Sequence, residues 1–121
     1  MTDEPIHCAD EAGLLDRWRR LQMIVRCGLS IRPADYVHLY LHLGRRIARR
    51  GVRPPGVAQR DMLHTLLRTA QDSALPWPLR RVCLEQATPL LAQLKALVGL
   101  HQPQALRALE MEMQQAVEGA R

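Results

Sequence analysis

The sequence predicts an all-α fold, a compact bundle of about five helices in a single domain. The chain has 121 residues, of which 47% are hydrophobic and 24% charged, a balance typical of one ordinary globular domain. Phenylalanine is absent and leucine is the commonest large apolar residue, a composition that favours helix over sheet. Apolar residues also recur at spacings of three and four in several segments, which glycine or proline separates.

The first predicted helix runs from about Asp10 to Cys27. Asp10 is its candidate N-cap, because an aspartate oxygen can accept hydrogen bonds from the first helical N–H groups. Gly28 fits its end, since glycine readily adopts the left-handed conformation that commonly follows a helix. Before this helix, residues 1–9 show little periodicity. We therefore predict a flexible N-terminal segment at 1–9 and a helical domain at 10–121.

The second and third predicted helices flank a proline-containing loop. Residues 33–50 form helix two, which has proline at its first position and ends at Gly51. Residues 52–56, VRPPG, are predicted to be a loop because two adjacent prolines and a glycine do not continue a helix. Residues 57–73 form helix three. The predicted inward side chains of helix three are Met62, Leu63, Leu66, Leu67 and Ala70.

Helices four and five complete the predicted bundle. Apolar positions keep one helical phase through residues 79–98, so we favour one helix that continues through Pro89 over two helices that meet there. Gly99 is the predicted end of helix four. Residues 103–119 form helix five. The predicted inward side chains of helix five are Leu106, Leu109, Met113 and Val117.

Positive charge is concentrated in the middle of the chain. Residues 1–16 contain five acids and no base, whereas residues 17–81 contain fourteen arginines against three aspartates. The remaining residues, 82–121, contain three bases and four acids, and the whole chain carries a formal charge of +5. We expect the basic part to attract an anionic partner, either DNA or an acidic protein surface. The alternative is a solvated arginine face that reflects GC-rich coding.

The segment 36–53 predicts a helix with two different faces. Its apolar side covers more than half of the circumference, wider than the stripe of about 100° that a surface helix needs. One interpretation is that helix two is the central helix of the bundle. The other is that part of this face binds a partner, since tyrosine beside arginine is typical of protein interfaces. The candidate partner-binding apolar residues are Tyr36, Tyr40 and Leu41.

The basic side chains form two strips, one on helix two and one on helix three. Both strips follow helical spacing, which places the members of each strip on one side of their helix. The arginines of helix two lie near its C-terminal end, where positive charge stabilises the negative end of the helix dipole. The candidate basic partner-binding residues are His38, His42, Arg45, Arg46 and Arg49 on helix two, and Arg60, His64 and Arg68 on helix three.

The sequence contains no motif that indicates catalysis. It lacks a GxSxG elbow and the glycine-rich loops that bind phosphates. His38 and His42 have the i, i+4 spacing of a zinc site, but HLYLH lacks the glutamate of HExxH and the neighbouring arginines oppose a cation. The three cysteines form no CxxC pair, so we expect reduced thiols. We therefore predict no enzyme activity, no catalytic residue, no cofactor and no metal site.

Taken together, these features predict a non-catalytic bacterial protein–protein interaction module. We expect a cytoplasmic homodimer without a membrane segment, because the apolar runs are short and no signal segment opens the chain. It would be a small regulator that sequesters a transcription factor, as anti-activators do, or a secretion-type chaperone. Its partner would offer an apolar groove with an acidic rim. The alternative is a DNA-binding transcriptional regulator that uses the two basic strips.

Overall fold

The helices follow one another in the predicted order. The computed structural model describes residues 4–98 and 102–120, and these residues form five helices and no strand, a single-domain all-α bundle. The predicted fold class is confirmed. The first three residues of the predicted flexible segment and the predicted helix end at Gly99 lie outside the described residues. The helices are α1 (Glu4–Cys27), α2 (Pro33–Arg49), α3 (Pro55–Gln71), α4 (Trp77–Val98) and α5 (Pro103–Gly119).

Left-handed glycines end the first two helices, as predicted. Gly28 has φ +64°, and the next N–H, that of Leu29, donates a hydrogen bond of 3.0 Å back to the carbonyl of Ile24. Gly51 has φ +72° and lies in the same arrangement after α2. Such a residue turns the chain away while the last free carbonyls of the helix still receive donors. The start of α1 differs from prediction, since helical structure begins at Glu4 rather than near Asp10.

Helix α4 runs without a break from Trp77 to Val98 and contains Pro89 in its interior. The prediction of one continuous helix is therefore confirmed over the part of this helix that the structure describes. Proline lacks an N–H and clashes with the preceding turn, so a helix tolerates it only when packing on both sides holds the two halves together. Leu90 and Ala87, on either side of Pro89, are both fully buried and provide that packing.

Helix α3 is the central element of the bundle, because it contacts each of the other four helices. All five side chains that were predicted to point inward from α3 are fully buried. On α5, Leu106 and Leu109 are buried as predicted, but Ala116 is buried in place of Val117, which is exposed. At 100° per residue, Ala116 lies only about 20° from Leu109 around the helix, whereas Val117 lies about 80° away.

Tyr40 and Leu41, two of the three predicted apolar partner contacts, are fully buried in the core of the bundle. The Tyr40 ring stacks on Trp18 of α1 with centroids 5.9 Å apart, and its hydroxyl donates a hydrogen bond of 3.1 Å to Thr65 Oγ1 of α3. Burial raises the pKa of the Tyr40 phenol above its ordinary value. This placement corrects their predicted role: neither side chain is accessible to a partner, and Tyr40 joins three helices of the monomer.

Gly44 allows α2 to approach α1 and α3 closely. A Cβ atom at this position would lie 2.9 Å from Trp18 Nε1 and would also overlap the sulfur of Met62. Met62 is fully buried and Trp18 nearly so, which leaves neither side chain room to move aside. The close approach holds α2 against α1 and α3, and the groove lies on the outer side of α1 and α2.

Candidate partner-binding groove

An open cavity of about 330 Å³ lies between α1 and α2 on the outer side of the bundle. The short link between these helices makes them antiparallel neighbours, so each turn of one faces a turn of the other. Leucines from both helices form the apolar part of the cavity, and exposed basic side chains surround them. The lining residues are Leu21, Leu39 and Leu43, with Arg17, Arg20 and His42 around them.

A second open cavity, of about 490 Å³, continues this surface toward the link between the two helices. On α1, Ile24 of the second cavity lies one turn beyond Leu21 of the first. On α2, Tyr36 of the second cavity lies one turn before Leu39 of the first. The two cavities are therefore consecutive sections of one surface. We call it the α1/α2 groove, and its apolar residues are Leu21, Ile24, Leu29, Ile31, Tyr36, Leu39 and Leu43.

Several apolar side chains of the α1/α2 groove are exposed to water. Ile31 is 97% exposed, Leu29 66% and Leu39 50%. Single exposed apolar residues are common on protein surfaces, but a contiguous group beside a cavity is typical of a binding site. Residues 29–32 connect the first two helices, and none of them is among the predicted site residues. The sequence signal for this part of the groove is the presence of two large apolar residues in a four-residue connection, where polar residues are usual.

The predicted site residues divide between the groove and other surfaces. Tyr36 is half-buried and lines the groove, and His42 lines its other section. His38 and Arg49 are exposed on the solvent side of α2, and Arg45 and Arg46 are half-buried there. Leu39 is not among the predicted site residues, yet it is the α2 residue that is both apolar and exposed beside the cavity.

The charge around the groove is largely positive. Arg20 pairs with Asp16 one turn earlier on α1. Arg17 and Arg32 also line the groove, and neither has a carboxylate partner among the residues that the structure describes. No aspartate or glutamate is among the lining residues described for either section. Positive charge beside low-dielectric apolar walls gives a field that attracts an anionic partner.

The basic strip on α3 has a different environment from the strip on α2. His64 Nδ1 lies 3.4 Å from Glu112 Oε2 of α5, so this histidine faces an acid of the same chain. Arg68 and His64 line a third cavity together with Asp61, which gives that surface mixed charge. By contrast, Arg45, Arg46 and Arg49 of α2 make no ion pair with any residue in the described part of the chain.

Two polar contacts join α1 to α3 and to the residue that follows it. Arg26 donates a hydrogen bond of 2.8 Å to Asp72 Oδ2, and this bond lowers the pKa of the Asp72 carboxyl below its ordinary value. Gln22 Nε2 donates to Thr65 Oγ1 at 2.9 Å, and the same oxygen accepts the hydroxyl of Tyr40. These contacts hold α1 against α3 and thereby support the α1 side of the groove.

Two observations describe the potential metal ligands and the buried thiol of the described residues. They contain no group of three or more His, Cys, Asp or Glu side chains close enough to hold a metal ion. Burial raises the pKa of the Cys83 thiol to about 12, so this thiol stays protonated and unreactive near neutral pH. Ser30, which lines the groove, accepts a hydrogen bond of 2.9 Å from the Arg32 N–H and closes a local turn.

Comparison with protein-family models, curated proteins and solved structures gives no match to this chain. Among the described helices, none combines the length and apolar character needed to cross a membrane.

The fold and the site together define a class of protein: a helical bundle that presents an apolar groove with a positively charged border.

Proposed function

We propose that the protein is a non-catalytic protein-binding module that holds a segment of a larger protein in the α1/α2 groove. The observation that carries the proposal is the contiguous exposure of Leu29, Ile31 and Leu39 beside an open cavity. Covering such side chains releases about 25 cal/mol per Å² of apolar area removed from water. These side chains contribute little to the folding stability of the free protein because they remain in water. A partner that covers them gains binding affinity.

The proposed biological role is regulation by occupancy. A small protein that covers a functional surface of a larger one blocks it sterically, as an anti-activator does to a transcription factor or a secretion-type chaperone does to its cargo. The position of Arg17 and Arg32 at the border of an apolar groove supports such a role. Charges at the border steer the encounter with a partner, and apolar contacts hold the complex together. A cytoplasmic location and self-association are part of the same proposal, and sedimentation velocity of the purified chain tests the latter.

Affinity capture from a lysate of the source organism, treated with nuclease, tests the proposed function. The wild-type chain is compared with Leu39→Asp, which places a charge in the groove, and with Leu97→Asp as matched control. Leu97 is 48% exposed on α4, close to the 50% of Leu39, but lies outside the groove. A protein retained by the wild type and the control and lost from Leu39→Asp supports the proposal. Equal retention by all three chains contradicts it.

A second candidate function is DNA binding through the α2 strip. The observation that favours it is the set of arginines on α2 without ion pairs in the described part of the chain, Arg45, Arg46 and Arg49. Binding through phosphate contacts falls steeply between about 50 and 200 mM salt, because counterions are released from the nucleic acid. The double variant Arg45→Ala/Arg49→Ala should then lose affinity for duplex DNA. Retention of nucleic acid only when nuclease is omitted from the capture would favour this candidate.

A further inference from the structure

We propose that the occupant of the α1/α2 groove is an amphipathic helix of another protein whose flanks carry glutamate or aspartate. This inference rests on the proposed function and specifies the chemistry of its partner. It is supported by the shape of the groove, the charge of its border, and the arrangement that a second copy of this chain would produce.

The shape of the groove fits a helix. Tyr36, Leu39 and Leu43 lie at i, i+3 and i+7 on α2, a line of about two helical turns or 10 Å. Leu21 and Ile24 form the facing line on α1. A third helix laid between two antiparallel helices inserts its own i, i+3 and i+7 side chains between these lines. It also satisfies its backbone hydrogen bonds internally, whereas a segment bound as an added β-strand needs a strand edge, and the described residues contain no strand.

The charge at the border of the groove fits an acidic partner. Arg17, Arg32 and His42 stand around the apolar residues without a carboxylate partner among the described residues. Among the residues whose side chains the structure describes, the acids nearest to Arg17 and Arg32 in the sequence are Asp16, which Arg20 already engages, and Asp35 in the first turn of α2. Acidic flanks on an incoming helix place carboxylates opposite these cations. Such pairs fix the register of the complex and increase the rate of association.

A second copy of this chain does not match the groove. A symmetric dimer places the same patch of both subunits face to face, so each residue of the border meets the equivalent region of the partner. Arg17, Arg20 and Arg32 of one subunit would then face the same three arginines of the other. Like charges brought together at an interface oppose association. The positive charge of the groove therefore favours a different protein as partner, one that carries negative charge on its binding surface.

A displayed library of helix-forming peptides of about 20 residues tests the inference, since shorter isolated helices are marginally stable. Each peptide carries leucine along one face, and its flanking positions vary among glutamate, glutamine and lysine. Selection on the immobilised full-length chain should enrich glutamate over lysine at the flanks. Individual selected peptides, labelled with a fluorophore, are then titrated with the wild type and its variants by fluorescence anisotropy.

We expect the affinity of selected peptides to fall at least about tenfold in Leu39→Asp, since buried apolar anchors dominate helix-in-groove binding. Arg17→Glu should weaken acidic peptides by about three- to tenfold and reduce the salt dependence of binding. Leu97→Asp and Arg107→Glu, which change exposed side chains on α4 and α5, serve as matched controls and should bind as the wild type does. Circular dichroism of each variant confirms that the helices remain folded.

The outcomes separate this inference from the proposed function. Enrichment of lysine or glutamine at the flanks, with binding still lost in Leu39→Asp, overturns the acidic helix and leaves the protein-binding groove intact. Selected peptides that bind Leu39→Asp and Ile31→Ser as tightly as the wild type contradict both. Two further results overturn the helical occupant: a wild-type dimer that Leu39→Asp dissociates, or binding to anionic lipid vesicles that Leu39→Asp abolishes.

Discussion

Leu39 and Leu41 lie on the same helix, two residues apart, and have opposite environments. Both belong to the broad apolar face of α2, and their side chains point about 200° apart around the helix, toward its two edges. Leu41 is fully buried within the bundle, whereas Leu39 is half exposed beside the groove. The bundle covers one edge of the face and leaves the other open. The apolar face is thus wider than the part that the bundle covers, and its width alone does not show which edge remains open.

The largest expected effect tests this contrast directly. Leu41→Ala removes a buried side chain and should lower the free energy of unfolding by about 2–5 kcal/mol, because it leaves a cavity in the core. Leu39→Ala should lower it by less than about 1 kcal/mol, since that side chain is already half in water. Urea denaturation followed by circular dichroism measures both. Similar losses in the two variants would contradict the difference in burial on which the groove depends.

The tight packing on the buried side of α2 predicts the next effect. Gly44→Ala should destabilise the fold by about 1–3 kcal/mol, because the added Cβ overlaps Met62 and approaches Trp18. Gly13→Ala in α1 is a matched control, since nothing lies within 4 Å of its Cβ position. That change should stabilise the protein by about 0.5–1 kcal/mol through the better helix propensity of alanine. A neutral or stabilising Gly44→Ala would show that α1 and α2 can separate without cost.

A smaller effect concerns the buried hydroxyl of Tyr40. Tyr40→Phe removes its hydrogen bond to Thr65 and should cost about 1 kcal/mol at neutral pH. The stability of the Tyr40→Phe variant should also fall less than that of the wild type at alkaline pH. Because burial raises the pKa of Tyr40 in the fold, the unfolded chain ionises first, and wild-type stability should fall as pH rises above the ordinary value of 10.0. The difference between the two proteins should shrink with rising pH, as thermal melts at several pH values can measure.

The smallest expected effect concerns the ion pair that ties the end of α1 to the end of α3. The hydrogen bond from Arg26 lowers the pKa of Asp72, so its stabilisation is present above the ordinary value of 3.8 and is lost as pH falls through the lower value of the folded state. Asp72→Asn should therefore melt slightly below the wild type at neutral pH and together with it in acid. A double-mutant cycle with Arg26→Gln isolates the pair. A difference between the variants that persists at low pH would contradict this origin.

The fold was largely predictable because its signals are local. Helical periodicity in α3 identified five side chains that are all fully buried, and the glycines at positions 28 and 51 marked the ends of α1 and α2. The continuation of α4 through Pro89 also followed from the phase of its apolar residues. The register of α5 was less predictable, since Ala116 replaces Val117 in the core. Because alanine is small and both residues lie near the end of α5, the periodicity of apolar residues does not distinguish Ala116 from Val117 as the buried one.

The candidate site was predictable only in part. Sequence patterns identified α2 as the helix with excess apolar surface and placed Tyr36 and His42 among its partner contacts, and both line the groove. They assigned Tyr40 and Leu41 to the partner as well, although both are buried. The polar contacts of Tyr40 come from Thr65, which is 25 residues away along the chain. The residue pattern of α2 alone does not reveal that a hydroxyl on α3 accepts a hydrogen bond from Tyr40. That hydrogen bond allows the tyrosine to be buried in the core.

The sequence by itself determined the five helices, the glycines that end α1 and α2, and the unequal distribution of charge along the chain. These properties depend on each residue's own conformational preferences and on neighbours within one or two turns. The tertiary structure decided which edge of α2 remained open and brought Ile24 and Leu29 beside Tyr36 to form the groove. Those outcomes depend on how α1 and α3 approach α2 at Gly44, a contact between residues that are distant in the chain. Helical periodicity shows how much apolar surface each helix carries, and tertiary packing decides which part of that surface is buried.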